Sequence, residues 1–367
     1  MVTSRTDSAA AGSDWTQESI QGINVHWLPV PYDNSMDYKK RIQAFFRFAT
    51  KAARRAASLD ADVVFATSTP LTIAIPAIWA KWRLNVPMVF EVRDLWPELP
   101  IAMGALNNPL ARIAARWLEV WAYRNAAQIV ALSPGMSSGI AQTGYPQDRI
   151  HCIPNSSDIS LFNVPAVRGE AFRFAREWLG ARPLVLYAGT FGKINGVGYL
   201  VEVARAMLPL NPEVRFLALG EGSELQSVSR RAAELGVLEK NFFIEGPVPK
   251  NSMPDVLSAA NISTSLFIRL EAMQQNSANK FFDTLAAGRP IAINHGGWQA
   301  DIIRQEKCGL VLDADNPTNA ARSILEFLED DEAQKLARQS AFSLARTRYD
   351  RDTLARELIA VLEETRR

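Results

Sequence analysis

The feature that most constrains this chain is an alternation of short apolar runs with longer amphipathic stretches, from residue 23 almost to the end. The runs are rich in β-branched residues and nearly continuous in apolar character, as strands buried on both faces of a parallel sheet are. Apolar residues at helical spacing mark the stretches between them. The alternation predicts α/β structure with parallel sheets.

This rhythm is interrupted once, through residues 154–180, and then starts again. The apolar runs lie at residues 23–28, 62–67, 87–92, 128–132 and 149–153, and then at 184–188, 214–219, 241–244, 262–266, 290–294 and 309–312. A chain of 367 residues is also longer than the roughly 250–300 residues at which a single core stops growing. We therefore predict two Rossmann-like, doubly wound domains, 1–166 and 167–350, that face each other across a cleft, and a helix at 351–367 that could cross back to the first domain.

Composition excludes several classes of protein. Forty Lys and Arg against 39 Asp and Glu leave a net charge of +1, so no global field exists to hold a nucleic acid. The two cysteines are too few for a disulfide framework or a thiolate metal site, and the three histidines lack metal-binding spacing, so we predict no metal and no cofactor. No run reaches the ~18 apolar residues of a membrane span, and the first twenty residues lack the core of a secretory signal. A cytoplasmic protein is expected.

A glycine-bearing loop follows the first apolar run of the second half. Glycines let backbone N–H groups approach a phosphate, and the N-terminus of the helix that follows adds partial positive charge. A tight strand-to-helix turn explains this loop equally well, and a capped turn explains a second glycine-bearing loop after the next run. The candidate residues in the two loops are Gly189, Thr190, Gly192, Lys193, Asn195, Gly220 and Glu221.

The densest group of polar residues lies at 276–283. Asn276 or Ser277 can cap a helix whose first turns carry Lys280 and Asp283, three residues apart and therefore on one face. The cation suits a phosphate and the carboxylate suits a pair of sugar hydroxyls. A surface ion pair between the two is the simpler alternative.

In the first half, Arg93, Asp94 and Glu98 follow the apolar run at 87–92. Charges at the carboxyl end of a buried strand are more often functional than structural, because a hydrophobic core has no use for them. A salt bridge of Arg93 with Asp94 or Glu98 is the alternative.

Residues 38–57 carry seven cations and no acid, with apolar residues, Phe46 among them, at helical spacing. They predict a basic amphipathic helix that packs on the sheet with a solvated basic face. Phe48 lies off the apolar stripe among the cations, which favours an added contact with an anionic membrane surface. The candidate membrane residues are Lys39, Lys40, Arg41, Arg47, Phe48 and Lys51.

Several segments together resemble a known family. YAGTFGKINGVGYL, LALGEGSEL, EGPVPKNSMPDVLSAANI and NSANKFFDTLAAGRPI, preceded by ALSPGM and IPNSSDISLF, resemble the nucleotide-sugar-dependent glycosyltransferases of family 4, which have the GT-B fold. VFATSTPLTIAIPA and FEVRDLWPE resemble the subgroup that assembles O-antigen, capsule and colanic-acid polysaccharides, which includes N-acetylfucosamine transferases. The resemblance implies retaining transfer of a sugar from a nucleoside diphosphate sugar, expected to be UDP-linked. It further implies a polyprenyl-diphosphate-linked glycan acceptor at the inner face of the membrane.

The resemblance also assigns roles to particular residues. Asn155 of the I-P-N segment matches a residue beside the cleft, Lys280 matches a Lys that contacts the diphosphate, and the paired glutamates of the family fall on Gln275 and Asp283. Where the family has His-Asp this chain has Arg93-Asp94, so Arg93 is expected to contact the departing phosphate or the acceptor. Lys193 is expected to replace the family's Lys before the last glycine of the first loop, where this chain has Asn195. The predicted catalytic residues are Arg93, Asp94 and Lys280, the predicted cleft residues are Glu98 and Asn155, and the predicted donor-binding residues are Gly189, Thr190, Gly192, Lys193, Asn195, Gly220, Glu221, Gln275, Asn279 and Asp283.

The beginning of the chain departs from the family. Family members open with a strand, a glycine-rich turn, a helix and a second strand, whereas this chain has mainly polar residues before residue 23. The first domain is therefore expected to lack its first β-α-β unit, which takes roughly 30 residues. The alternative function is a truncated or degenerate, non-catalytic subunit that binds nucleotide sugars or serves assembly. A nucleotide-sugar epimerase has no support, because no clustered His and acid residues for proton transfer are visible.

Overall fold

The computed structural model describes residues 1–5, 14–31, 36, 38–68, 70–94, 96–104 and 106–366, and of Tyr38 and Lys39 only the backbone. The chain divides into two compact units, Met1–Ile153 with Glu357–Arg367, and Pro154–Arg356. The segment before the helix at residue 166 therefore belongs to the second unit.

The first unit contains strands β1 (Val2–Arg5), β2 (Thr16–Ile20), β3 (Ile23–Pro29), β4 (Val64–Thr67), β5 (Met88–Val92), β6 (Gln128–Ala131) and β7 (Ile150–Cys152). Its helices are α1 (Tyr38–Ala56), α2 (Ala74–Leu84), α3 (Glu98–Ala102), α4 (Pro109–Asn125) and α5 (Pro134–Gln142), with short 3-10 turns at Leu71–Ile73 and Gln147–Arg149. Strands β4 to β7 pair in chain order, all parallel. Phe90 and Ile129 are fully buried in their core.

A second sheet in this unit includes two strands from the mainly polar segment before residue 23, where no apolar run predicted a strand. β3 pairs with β1 in parallel and with β2 in antiparallel orientation. Neither β1 nor β2 has an apolar run, and all five residues of β2 are exposed. Backbone pairing with β3 holds them, and no apolar run marks them because their side chains are exposed or only half-buried.

The second unit contains strands β8 (Leu184–Ala188), β9 (Arg215–Leu219), β10 (Phe242–Glu245), β11 (Ile262–Ser265), β12 (Ile291–Ile293) and β13 (Gly309–Val311). Its helices are α6 (Ile159–Phe162), α7 (Ala166–Phe174), α8 (Gly198–Met207), α9 (Leu225–Glu234), α10 (Met253–Ala259), α11 (Asn279–Ala286), α12 (Trp298–Glu306), α13 (Pro317–Glu329), α14 (Asp331–Arg348) and α15 (Arg351–Arg366), the last of which ends in the first unit. Further 3-10 turns lie at Lys193–Asn195, Lys250–Ser252 and Glu271–Gln275.

All strands of the second unit are parallel, in the order β10-β9-β8-β11-β12-β13. Counted along the chain this is 3-2-1-4-5-6, the order of a doubly wound sheet. The order reverses between β8 and β11, and ligands of such sheets bind beyond the carboxyl ends of the strands at that point. The prediction of α/β structure with parallel sheets in two Rossmann-like domains is confirmed.

None of the described helices is both long enough and apolar enough to span a bilayer.

Candidate functional site

The loop after β8 is held in one conformation by its own polar groups. The Tyr187 hydroxyl and the Asn195 side-chain amide both donate to the Thr190 carbonyl, each at 2.7 Å. At the end of the loop Gly196 has φ +56°, and a Cβ there would lie 3.1 Å from the backbone nitrogen of Ile268. The loop that follows β11 therefore packs closely on this turn. A side chain at Gly196 is disfavoured both by the positive φ and by this close contact.

The loop after β9 packs on the loop after β8. The Gly189 N–H donates to the Leu219 carbonyl at 2.8 Å, and the Phe191 N–H donates to the Glu221 carbonyl at 2.7 Å. Gly220 has φ +144°, and a Cβ on it would overlap the Gly189 carbonyl. The structure thus brings Gly189, Thr190, Gly192, Lys193, Asn195, Gly220 and Glu221 together at the carboxyl ends of β8 and β9.

Lys280, the second residue of α11, crosses to this loop. Its Nζ lies 3.3 Å from the Tyr187 hydroxyl and 4.8 Å from the centre of the Tyr187 ring. Its aliphatic carbons lie over Gly189, where a Cβ would overlap them. Burial lowers the pKa of Lys280 to about 8. Among the described residues no carboxylate pairs with Lys280, and burial is the only cause of its lowered pKa.

Asp283 lies one helical turn after Lys280 and faces the start of the second unit. The Ser157 hydroxyl donates to Asp283 Oδ1 at 2.7 Å. Burial raises the pKa of Asp283, an effect that the Ser157 hydrogen bond and the charge of Lys250 oppose. Asp283 is therefore a positioned carboxylate without an ion pair of its own in the part of the chain that the structure describes.

The segment around Asn155 is tied to the beginning of α11. The Asn155 Nδ2 donates to the Ser277 carbonyl at 2.5 Å, and the Asn155 N–H donates to the Ser277 hydroxyl at 3.3 Å. The predicted cap is wrong, because the residue before α11 is Ala278 and no side chain caps the helix. The Ser277 hydroxyl is used by a distant backbone donor instead, which a local sequence pattern does not reveal.

Gln275 and Asn279 flank this junction. Gln275 ends the 3-10 turn that leads to α11, and Asn279 is the exposed first residue of the helix. The Trp298 indole donates to the Asn276 carbonyl at 3.0 Å and fixes the segment between them. The residues predicted for donor binding thus lie on the two glycine loops and on the start of α11.

A cleft of about 490 Å³ lies on the α8 side of the same loop, and Lys280 and Asp283 are not part of its lining. Its lining includes Lys193, Arg231 and Arg269. Arg231 pairs with Glu202 at 2.7 Å and Arg269 pairs with Asp315 at 2.5 Å, so their charges are already neutralised. Lys280, which pairs with no carboxylate among the described residues, is therefore a better position for an anionic ligand than Arg231 or Arg269.

The candidate residues of the first unit surround the end of β5. Arg93 Nη1 lies 3.5 Å from a Glu91 carboxylate oxygen, and the Arg93 N–H donates to the Ser68 hydroxyl at 3.0 Å. Asp94 follows directly, and Glu98, at the start of α3, pairs with Arg116 of α4 at 3.3 Å. These residues lie in the first unit, whereas Lys280 and Asp283 lie in the second.

Glu119 on α4 is a buried acid that the sequence analysis missed. The Tyr123 hydroxyl donates to its carboxylate at 3.1 Å. Burial, and then the charge of Glu98, raise the pKa of Glu119 to about 7. The sequence indicates this burial only weakly, because an acid within an amphipathic helix usually lies on the solvent face. Only the spacing of Glu119 from Ala122 and Tyr123 places it on the packed face.

Helix α1 carries the predicted membrane residues. Lys40 and Arg47 are exposed, Arg41, Phe48 and Lys51 are half-buried, and the side chain of Lys39 lies outside the described residues. Phe46, which the helical spacing assigns to the packed stripe, is 49% exposed, so this assignment is wrong. Alanines such as Ala49 and Ala52 supply the buried face in its place.

Within the described residues, no group of three or more His, Cys, Asp and Glu side chains is arranged to hold a metal ion.

Two family models match the chain. The glycosyl transferase 4-like domain matches residues 1–156, and the glycosyl transferases group 1 model matches residues 169–343. D-inositol 3-phosphate glycosyltransferase of Corynebacterium urealyticum is 24% identical over 306 residues, which are 77% of this chain and 70% of that protein. Spore coat protein SA of Bacillus subtilis is 23% identical over 51% of this chain, and the match spans about half (50%) of that relative's length.

Among solved structures, the complex of Anabaena HepE with UDP superposes with a TM-score of 0.74 at 15% identity, over 93% of this chain and 86% of that one. This likeness shows the fold, and the two family models show the ancestry of both units. The first unit thus matches the glycosyl transferase 4-like domain, the second unit matches the glycosyl transferases group 1 family, and the chain has the GT-B fold.

Proposed function

We propose that the second unit binds a nucleoside diphosphate sugar, with UDP as the nucleotide, and that the protein transfers the sugar with retention of configuration. The observation that carries this proposal is Lys280, a partly buried cation that no carboxylate of the described residues neutralises, at the point where the strand order reverses. An anion is the missing partner at such a position, and a diphosphate fits there. The UDP bound by the structurally similar HepE supports the choice of nucleotide.

The residues around Lys280 have complementary roles in this proposal. As the bond between sugar and diphosphate breaks, negative charge accumulates on the leaving diphosphate, and fixed donors aimed at it lower the barrier. Lys280, the exposed Lys193 and the N–H groups of the loop from Gly189 to Asn195 supply these donors, so that no metal ion is needed. Gly220 permits the close approach of the two loops, and Glu221 borders the site.

Asp283 accepts hydrogen bonds from the ribose hydroxyls, and Ser157 holds its carboxylate in place. Gln275 and Asn279 border the sugar. Asn155 fixes the start of α11 through Ser277. Arg93 and Asp94, with Glu98 beside them, act on the acceptor in the first unit.

We further propose that the acceptor is a polyprenyl-diphosphate-linked glycan, and that the protein works at the cytoplasmic face of the inner membrane in the synthesis of a bacterial surface polysaccharide. The exposed cations of α1, Lys40 and Arg47 among them, support an anionic surface as partner. The segments VFATSTPLTIAIPA and FEVRDLWPE, with their likeness to the O-antigen and capsule subgroup, support the pathway class.

The variant Lys280→Ala tests the donor site. UDP affinity is measured by titration calorimetry, and transfer is measured as UDP release from a panel of UDP-sugars with a membrane lipid extract as the acceptor source. We expect transfer to fall roughly 100-fold or more, because a donor aimed at the developing charge is lost. Lys335→Ala, an exposed lysine on α14, is the matched control and should behave as the parent chain. Unchanged UDP affinity and transfer in Lys280→Ala would contradict the assignment.

A non-catalytic nucleotide-sugar-binding subunit is the second candidate. Gln275 favours it, because this position carries no negative charge where the family pattern has a glutamate. The two functions separate in one experiment: tight UDP-sugar binding with no UDP release, across the whole donor panel, supports the subunit, and any turnover supports the enzyme.

A further inference from the structure

Helices α2 and α4 of the first unit present an unusually large set of exposed apolar side chains. Trp79 and Trp82 are 52% and 56% exposed, and Trp117 is 63% exposed. Leu110 and Ile113 are 75% and 65% exposed. Exposed apolar groups that gather in one place mark an interaction surface, whereas single ones need no explanation.

Ring contacts join three of the tryptophans on these two helices, and the others follow at helical spacing. The set is here named the tryptophan patch: Trp79, Trp82, Leu110, Ile113, Trp117 and Trp121. The Trp121 ring lies 5.8 Å from that of Trp82, edge to face, and 5.4 Å from that of Trp117, stacked. Trp121 also packs against the core of the unit, which anchors the two more exposed rings. Leu110, Ile113 and Trp117 follow at helical spacing on α4, and Asn108 caps this helix through the Leu110 N–H at 2.9 Å.

The exposed charges that α2 and α4 themselves carry are all positive. Helices α2 and α4 carry Lys81, Arg83, Arg112, Arg116 and Arg124, and their single acid is the buried Glu119. Lys81 and Arg112 are bound to backbone carbonyls, at 2.6 and 2.7 Å, and Arg116 is paired with Glu98. Arg83 and Arg124 are exposed, and the neighbouring α1 adds the exposed Lys40 and Arg47.

We propose that the tryptophan patch inserts into the headgroup region of an anionic bilayer, with the arginines of α2 and α4 bound to lipid phosphates. Tryptophan favours this region because its ring is apolar and its N–H can remain hydrated. Arginine and lysine beside it gain from the negative surface potential of the leaflet. A second copy of the chain fits less well, because it would bring Arg83 and Arg124 of the two copies together.

This inference deepens the proposed membrane-linked function and rests on it. It assigns the apolar anchor to α2 and α4, with the cations of α1 beside it, where the sequence pattern had pointed to Phe48 of α1.

The full chain is tested by co-sedimentation with vesicles of phosphatidylcholine containing phosphatidylglycerol, and with pure phosphatidylcholine vesicles. The double variant Trp82→Ser/Trp117→Ser removes the two most exposed rings and leaves the packed Trp121 in place. We expect its partition onto the anionic vesicles to fall roughly tenfold or more. Burial of a single large apolar side chain contributes about 1.5 kcal/mol or more, and about 1.4 kcal/mol corresponds to a tenfold change in an equilibrium constant. The matched control is Phe174→Ser on α7, which removes an 81% exposed aromatic ring from the second unit and should bind as the parent does.

Three further measurements make every outcome decisive. Hydrogen exchange in β4 to β6 should be the same in the parent and the double variant, which shows that the first unit is folded; Trp82→Phe/Trp117→Phe replaces the serine variant if that protection is lost. UDP affinity should be the same in the parent and both variants, which separates a failure here from a failure of the donor site. Brominated lipids should quench tryptophan fluorescence in the parent and much less in the double variant. Equal vesicle binding by parent and double variant overturns the proposal. The proposal is also overturned if the parent chain is a dimer, the double variant is a monomer, and both bind the vesicles equally.

Discussion

Lys280 shows how the requirements of stability and ligand binding conflict at one residue. Burial holds the pKa of Lys280 at about 8, below its ordinary value of 10.5. The unfolded chain therefore binds more protons than the folded chain between these pH values, and stability should rise with pH across that window. Below pH 8 the folded protein carries the full cost of a buried charge, up to about 3 kcal/mol. A bound diphosphate would offset this cost, which explains why such a residue is tolerated.

The variant Lys280→Met should accordingly be more stable than the parent and unable to bind UDP well. Methionine keeps the length and packing of the side chain but needs no counterion. We expect the thermal midpoint at pH 7 to rise by a few degrees, and its increase between pH 8 and 10 to disappear. Calorimetry without ligand across this pH range provides the measurement. A lower midpoint at pH 7 would show that the charge of Lys280 is already compensated in the free protein.

Glu119 should make the stability of the chain fall with pH, whereas Lys280 should make it rise. Its pKa is raised from 4.5 to about 7, so the folded chain binds more protons than the unfolded chain between these values. The stability that protonated Glu119 contributes to the folded chain should therefore be fully present below about pH 4.5 and should be lost as the pH rises through 7. Glu119→Gln can still accept the Tyr123 hydrogen bond and should flatten the thermal midpoint between pH 5 and 8, with a gain of roughly 1–3 kcal/mol at pH 8. Glu364→Gln, an exposed acid in the same unit, should leave the profile unchanged.

At the scale of elements, the two glycine loops act as one platform because their backbones touch. Gly220 at φ +144° has no room for a Cβ against the Gly189 carbonyl. Gly220→Ala should cost roughly 2–4 kcal/mol of stability from strain and displacement, and should weaken UDP binding roughly tenfold or more. Gly198→Ala is a close control, because α8 begins there and a Cβ would meet nothing within 4 Å. A Gly220→Ala chain with parental UDP affinity would show that the second loop does not support the first.

The elements also show how far the sequence alone leads. The buried strands β8 to β13 were predictable, because burial on both faces demands continuous apolar runs. β1 and β2 were not, because long-range backbone pairing and not side-chain burial holds them. The tryptophan patch could not be predicted for the reverse reason. Leu110, Ile113 and Trp117 have the spacing of a packed stripe, and only the fold shows that these side chains are exposed. Likewise, the glycines and Lys280 were identifiable from sequence, but the roles of Tyr187 and Ser157 depend on contacts from distant segments.

At the scale of the whole molecule, the proposed function divides the chemistry between the two compact units. The residues assigned to the donor lie in Pro154–Arg356, and those assigned to the acceptor and the bilayer lie in Met1–Ile153. Each unit has its own buried core, with Phe90 in the first and Tyr187 in the second. Binding of a ligand to one unit should therefore stabilise that unit first, and the other only to the extent that the two are coupled.

Hydrogen exchange with and without UDP tests this division. Saturation at 100 times the dissociation constant stabilises the binding unit by about 2.7 kcal/mol, which slows exchange through its global opening roughly 100-fold. We expect the largest protection in the loop after β8, at the start of α11 and in the strands β8 and β11, while amides of β4 to β6 change little. Lys280→Ala should show no added protection at the same UDP concentration. Protection that is strongest around Arg93 at the end of β5 would contradict the assignment of the nucleotide to the second unit, since an anion held there would stabilise the sheet of the first unit instead.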